Sequence, residues 1–154
     1  MRTASYRLGI LAAFAVSAMP VLIAQTGADK NKTEYFKGEV VPLAEIVAKH
    51  GGKLDADAVT LVLVSEDGKV HPLVKDAGSR MFFLDAKLRK RLVRLTGRLL
   101  PNSTYLQVVN VHSYVKGQLH DVYYWCDICT IRGFEPGICD CCGEKMEFRE
   151  TPAK

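Results

Sequence analysis

All five cysteines of the chain fall in one stretch, CDICTIRGFEPGICDCC, residues 126–142. Cys126 and Cys129 form one C-x-x-C pair, Cys139 and Cys142 form a second, and nine residues separate the pairs. Two residues between ligands let a tight turn aim both sulfurs at one point. Zinc, a borderline-soft ion, binds thiolate at about 2.3 Å and suits such a set. Gly143 follows the second pair and can supply the positive φ that closes the turn; Thr130 stands there after the first pair, which predicts a less regular turn. Cys141 is a competing thiol. Pairing it with Cys139 would make a C-x-C, which bends less readily around a tetrahedral ion. The expected ligands are therefore Cys126, Cys129, Cys139 and Cys142, around one structural Zn2+.

Other uses of the thiols fit less well. Two disulfides within 17 residues would close tiny loops, constrain little of the unfolded chain and leave one thiol over. Zinc instead organises a segment too small to fold on a core of its own. Neither pair visibly opens a helix that would depress a thiol pKa, as thioredoxin-like exchange requires. Haem attachment needs C-x-x-C-H, but Thr130 and Gly143 follow the pairs. Iron on the same four sulfurs, or reversible disulfides, is the competing redox reading.

With its flanks VYYW and KMEFRE, the segment over about residues 122–150 resembles zinc ribbons with rubredoxin-type knuckles. That resemblance implies the same four ligands, with the flanks as strands. The nine-residue spacing is much shorter than a rubredoxin insert, and the second knuckle lacks the proline usual in that family. The chain as a whole resembles small exported bacterial proteins that end in such a ribbon, which implies no activity.

The remaining chain must position these thiols. Its 154 residues, 48% hydrophobic and 25% charged, suit one ordinary globular domain with a small appendage. Arg2 and Arg7 precede the uncharged run LGILAAFAVSAMPVLIA, residues 8–24, the pattern of an export signal. It is longer than a usual signal core and at the short end for a spanning helix, so residues 1–24 are read as a signal peptide or an uncleaved membrane anchor. No cysteine follows to carry lipid, and no adjacent arginine pair precedes. The expected location is periplasmic, secreted or cell envelope, with membrane association through residues 8–24 if the run is kept.

Residues 25–34 read as a polar linker, residues 35–118 as a β-rich OB-like domain, and residues 119–154 as the ribbon. YFKGEVVPL predicts a strand with Gly38 as a bulge. LAEIVAKHGG predicts a short helix with His50 in its last turn. AVTLVLVSEDGKVHPLVK predicts a hairpin turning at Asp67-Gly68. A short helix near Asp85 follows, then VRLTGRL with Val93, Leu95, Gly97 and Leu99 alternating against Arg94, Thr96 and Arg98. TYLQVVNVHSYV predicts a long strand, and the large side chains of Val122, Tyr123, Tyr124 and Trp125, running straight into Cys126, are expected to be buried at the junction. Strand, helix, hairpin, helix, strand, strand predicts a mainly β (α+β) fold: a small OB-like barrel or a compact antiparallel sheet.

The formal charge of +4 falls to +2 when Arg2 and Arg7 are removed with residues 1–24. KLRKRLVRLTGR, residues 87–98, holds six cations and no acid. It would suit an anionic surface or polyanion, or simply a solvated face. It contains no aromatic to stack on a base, which argues against nucleic acid. His71, His112 and His120 are scattered through strands, Ser79 lacks the glycines of a nucleophile elbow, and Asp121 is a candidate hydrogen-bond acceptor beside the first knuckle or an exposed strand-end acid. The leading function class is a non-enzymatic envelope protein whose β-rich domain meets a protein or an anionic surface; the competing class is redox or electron transfer.

Overall fold

The computed structural model describes residues 32–55 and 58–154. The signal or anchor reading of residues 1–24 and most of the 25–34 linker lie outside the described residues. No helix among the described residues is long and apolar enough to cross a membrane.

The elements run β1 Glu34–Pro42, α1 Leu43–Lys49, β2 Leu61–Ser65, β3 Val70–Pro72, α2 Arg80–Leu84, a 3₁₀ turn Ala86–Leu88, β4 Leu92–Leu99, β5 Leu106–Val115, β6 Gln118–Cys126, β7 Ile131–Gly133 and β8 Glu147–Pro152. The fold is mainly β, one antiparallel sheet of eight strands ordered β3-β2-β1-β4-β5-β6-β7, with β8 also on β6. The sheet is open, so of the two expected architectures the antiparallel sheet forms and the closed barrel does not. The segment after β3 meets the unpaired start of β5 where Leu73 bridges Leu106 in parallel, Val74 N–H donates to Leu106 O at 3.0 Å and Gln107 Nε2 donates to Asp76 Oδ2 at 2.8 Å.

Period-two alternation separates the faces. Val40, Leu63, Val93, Leu95, Val111, Val122 and Tyr124 join one core with Leu73, Met81, Phe82 and Leu88 from the β3–β4 connection. On the other face, Ile46 of α1 shares a shallow hollow with Val41, Val64 and Leu92. His50 caps α1 through its backbone N–H to Val47 O. Gly38 is not a bulge: it pairs in unbroken register with Ser65 and Val93, and a Cβ there would stand 2.1 Å from Val64 O. The irregularity falls instead between Thr96 and Gly97 of β4, opposite β5. The expected helix at Asp85 is the 3₁₀ turn, where Asp85 Oδ1 accepts from Lys87 N–H; α2 precedes it.

The strand that positions the thiols is β6. Its residues His120–Trp125 pair with β8, so β5, on residues 118–121, and β7, on residues 124–126, must share its other edge. β5 thus leaves β6 halfway along, and β7 takes the vacated edge. β8 pairs with β6 across this exchange, from His120 to Trp125, and carries the sheet into the cysteine segment.

Candidate metal centre

Two hairpins bring the thiols together. The first turns from β6 to β7: Cys126 ends β6 opposite Ile131, and Thr130 N–H donates to Cys126 O at 2.9 Å. The second is clamped by the Ile138–Lys145 bridge and by Cys139 N–H on Glu144 O at 2.7 Å, with Gly143 N–H on Cys139 O at 2.8 Å. From there β8 returns along β6, placing Glu147 opposite Trp125 and holding one knuckle over the other.

The knuckles are the same turn. Gly143 has φ +74° and Thr130 has φ +54°, so the expectation of a less regular first knuckle is corrected. Thr130 adopts the left-handed conformation at a steric cost of roughly 1–2 kcal/mol, because the knuckle hydrogen bond and the hairpin register leave no other path.

Sγ atoms of Cys126, Cys129, Cys139 and Cys142 all lie within 4.8 Å of one another, and those of Cys126 and Cys142 are 3.5 Å apart. A tetrahedron with metal–sulfur bonds of about 2.3 Å has edges of roughly 3.8 Å, so the donor set fits a metal ion of zinc's size. A disulfide requires about 2.05 Å, and all five thiols are free. Cys126 and Cys139 are buried, Cys129 is half-buried and Cys142 is exposed. Cys141 is exposed and outside the cluster.

Backbone amides prepare the sulfurs for negative charge. Cys129 N–H points at Cys126 Sγ, 3.4 Å away. The amides of Cys142 and Cys141 bring the Cys139 thiol down to about 7. Cys129 is held above the ordinary thiol range, chiefly by its neighbours Cys141 and then Cys142, the consequence of crowding thiols that cannot all ionise without a cation. A tetrahedral ion held by these four sulfurs would have all its positions filled by the protein, as in structural zinc sites.

Asp121 does not serve the knuckle. It stands mid-strand, and its Oδ1 lies 3.2 Å from His112 Nε2. The acid beside the centre is Asp127, whose Oδ1 accepts from Arg149 Nη2 at 2.5 Å and ties the first knuckle to β8. Sequence reading missed this pair; 22 residues separate its members, and only the β6–β8 register shows that they meet. Trp125 sits where β7 and β8 flank β6, opposite Arg132 and Glu147, but it and Tyr123 are half-buried on the face away from the core, while Val122 and Tyr124 are buried. The expectation that all four bury is corrected by the alternation of the strand.

The basic stretch 87–98 is divided among partners. Arg89 donates to Phe82 O and Phe83 O at the end of α2, Lys90 pairs with Glu45 at 2.8 Å, Arg91 with Glu150 at 2.5 Å, and Arg98 donates to Gln107. The other candidate groups stay apart. Ser79 is fully buried and donates its hydroxyl to Val74 O. His71 Nδ1 is 3.3 Å from Thr104 O, and His120 Nδ1 is 3.0 Å from Gln118 O.

Comparison of the chain with protein-family models, curated proteins and solved structures found no match. The four-sulfur centre and the open β-sheet that carries it therefore stand on their own geometry.

Proposed function

We propose that this is an exported, non-enzymatic protein in which one structural zinc ion, held by Cys126, Cys129, Cys139 and Cys142, braces a C-terminal zinc ribbon against a β-rich body that presents a binding surface to a protein or an anionic ligand. The observation that carries this reading is the convergence of four sulfurs, within 4.8 Å of one another, from two matched knuckles. Export is supported by Arg2 and Arg7 ahead of the uncharged run at residues 8–24, which serves as a cleaved signal or an envelope anchor. A structural role is supported by the closed donor set and by the engagement of Ser79 and His71 in backbone hydrogen bonds. Zinc is favoured over iron because the ion's task here is organisation. Ile128, Phe134 and Ile138 are exposed at 66%, 56% and 69%, so the knuckles bury little that would fold them unaided.

Metal analysis and an absorption spectrum of protein isolated from its native compartment test this. One zinc per colourless chain is expected, and red protein with one iron would overturn the zinc assignment and support the redox reading on the same sulfurs instead. Cys126→Ser or Cys142→Ser should abolish stoichiometric metal, whereas Cys141→Ser should retain it. Loss of metal only with Cys141→Ser would overturn the ligand set.

A further inference from the structure

The face of the sheet turned away from the core carries cations in an arrangement that folding alone does not favour. Register places Lys37 beside Arg94, Arg94 beside His112 and His112 beside Asp121. Like charges directly opposite one another in a ladder repel. Glu66 answers Lys37 at 2.6 Å, and Asp121 answers His112. Arg94 has no carboxylate within 4.0 Å among the described residues; its guanidinium lies 4.8 Å over the ring of Tyr35. Arg132 on β7 repeats the device. It too lacks a carboxylate within 4.0 Å among the described residues, and it stacks 4.1 Å over Tyr123.

Between these stacked arginines runs a floor of small polar side chains. Tyr35, Thr96 and Asn110 form one cross-strand row, and Tyr123 stands on the next strand, so the two rings are on the order of 15 Å apart at about 4.8 Å per strand. Because β5 and β6 pair only from His112 onward, the floor opens there. Asn110 Oδ1 is occupied by Val111 N–H at 2.9 Å, which leaves its amide nitrogen as a donor. Burial and then Arg94 hold His112 below its ordinary proton affinity; Asp121 opposes this and Arg132 adds to it. Both guanidinia thus act on the same ring between them. Arg94 Nε and His112 Nδ1 are inaccessible and have no hydrogen-bond partner among the described residues.

We propose that this strip of the outer face, flanked by Arg94 on Tyr35 and Arg132 on Tyr123, is a binding site for a phosphate-bearing ligand. A guanidinium stacked on an aromatic ring is held in place with its outer edge free to donate a two-bond fork. One such fork saturates a carboxylate. Two forks above Thr96 and Asn110 match the larger number of oxygens on a phosphoryl group. Free phosphate compounds and phospholipid headgroups share this chemistry. The site names the ligand class of the binding surface proposed above; it rests on that reading and on the bound metal that keeps β7, and with it Arg132, in place, which is why the chain is tested metal-loaded.

The full chain, metal-loaded in a neutral detergent at constant ionic strength, is titrated with inorganic phosphate and, separately, with glycerophosphoglycerol, the deacylated headgroup of phosphatidylglycerol. Trp125, the only tryptophan and the cross-strand partner of Arg132, reports binding by fluorescence. A saturable response to inorganic phosphate assigns a free phosphate compound, and one to glycerophosphoglycerol alone assigns a lipid headgroup; either supports the site. Arg94→Gln and Arg132→Gln should each weaken binding about tenfold, as loss of a charge-assisted fork implies. Arg94→Lys, which keeps the charge and loses the fork, should weaken it nearly as much, and Lys87→Gln should leave it unchanged. Arg132 is exposed on a short strand, so its variant stays folded even if Arg94 variants do not. A response that never saturates with either probe, or that saturates equally in Arg132→Gln, overturns the proposal. Metal content measured on the same samples separates this outcome from failure of the zinc reading.

Discussion

Removing the metal should melt the two knuckles and leave the rest of the sheet standing. Between Trp125 and Glu147 the chain offers the core little beyond the edge of Met146, while Ile128, Phe134 and Ile138 face solvent. Ordering a residue costs roughly 1–2 kcal/mol of backbone entropy, and the buried area that could offset this lies on β6 and β8, outside the knuckles. The bound ion supplies the difference, since structural zinc contributes on the order of 10–16 kcal/mol. Four amides report directly: Thr130 and Gly143, which close the knuckles, Cys139, bonded to Glu144 O, and Met146, bonded to Gly137 O at 3.0 Å. With metal bound, their opening free energy should reach at least about 4 kcal/mol; without it, it should fall toward zero, which accelerates hydrogen exchange roughly a thousandfold. Amides of Leu95 and Val108, in the β4–β5 ladder, should keep their protection. The assay is amide exchange read by mass spectrometry before and after chelation, with metal loss verified. Trp125 fluorescence should shift to the red in parallel as β7 leaves its side. Unchanged exchange at the four amides would refute the argument that the metal holds the knuckles, and collapse of the β4–β5 ladder with them would make the metal essential to the whole fold.

Two further predictions concern single residues. Thr130→Gly should stabilise the metal-bound protein by about 0.5–1 kcal/mol, because it relieves a left-handed threonine, while Gly143→Ala should cost roughly 1–2 kcal/mol at φ +74°; both are read by denaturant titration, and a loss of stability on Thr130→Gly would sink the claim that the knuckles are equivalent. Tyr124 donates its hydroxyl to Asp85 Oδ2 at 2.9 Å, a bond from β6 to the 3₁₀ turn. Tyr124→Phe should therefore cost about 1.5–3 kcal/mol and Tyr123→Phe little, since Tyr123 lies on the opposite, half-exposed face; equal costs would show that the alternation assigned to β6 is wrong.

What the sequence determined by itself is local. The spacing C-x-x-C, nine residues, C-x-x-C contains part of its own geometry, because a turn of four residues aims its two sulfurs whatever surrounds it; the pairing of β8 with β6 then sets one knuckle over the other. The Asp67-Gly68 turn and the alternation of β4 were legible for the same reason: neighbours a few residues apart set them through φ and through period two. Only the tertiary structure decided what depends on register between distant strands. The return of β8 onto β6 brings Arg149 to Asp127 and Glu150 to Arg91, which engages one cation of the basic stretch with a partner 59 residues away. The departure of β5 from β6 gives its edge to β7 and carries Arg132 within reach of the ring that Arg94 also faces. A one-residue slip in either pairing would turn every side chain to the other face, and no pattern within a single strand records which slip is avoided. That choice is made by the summed burial of the one core those strands share.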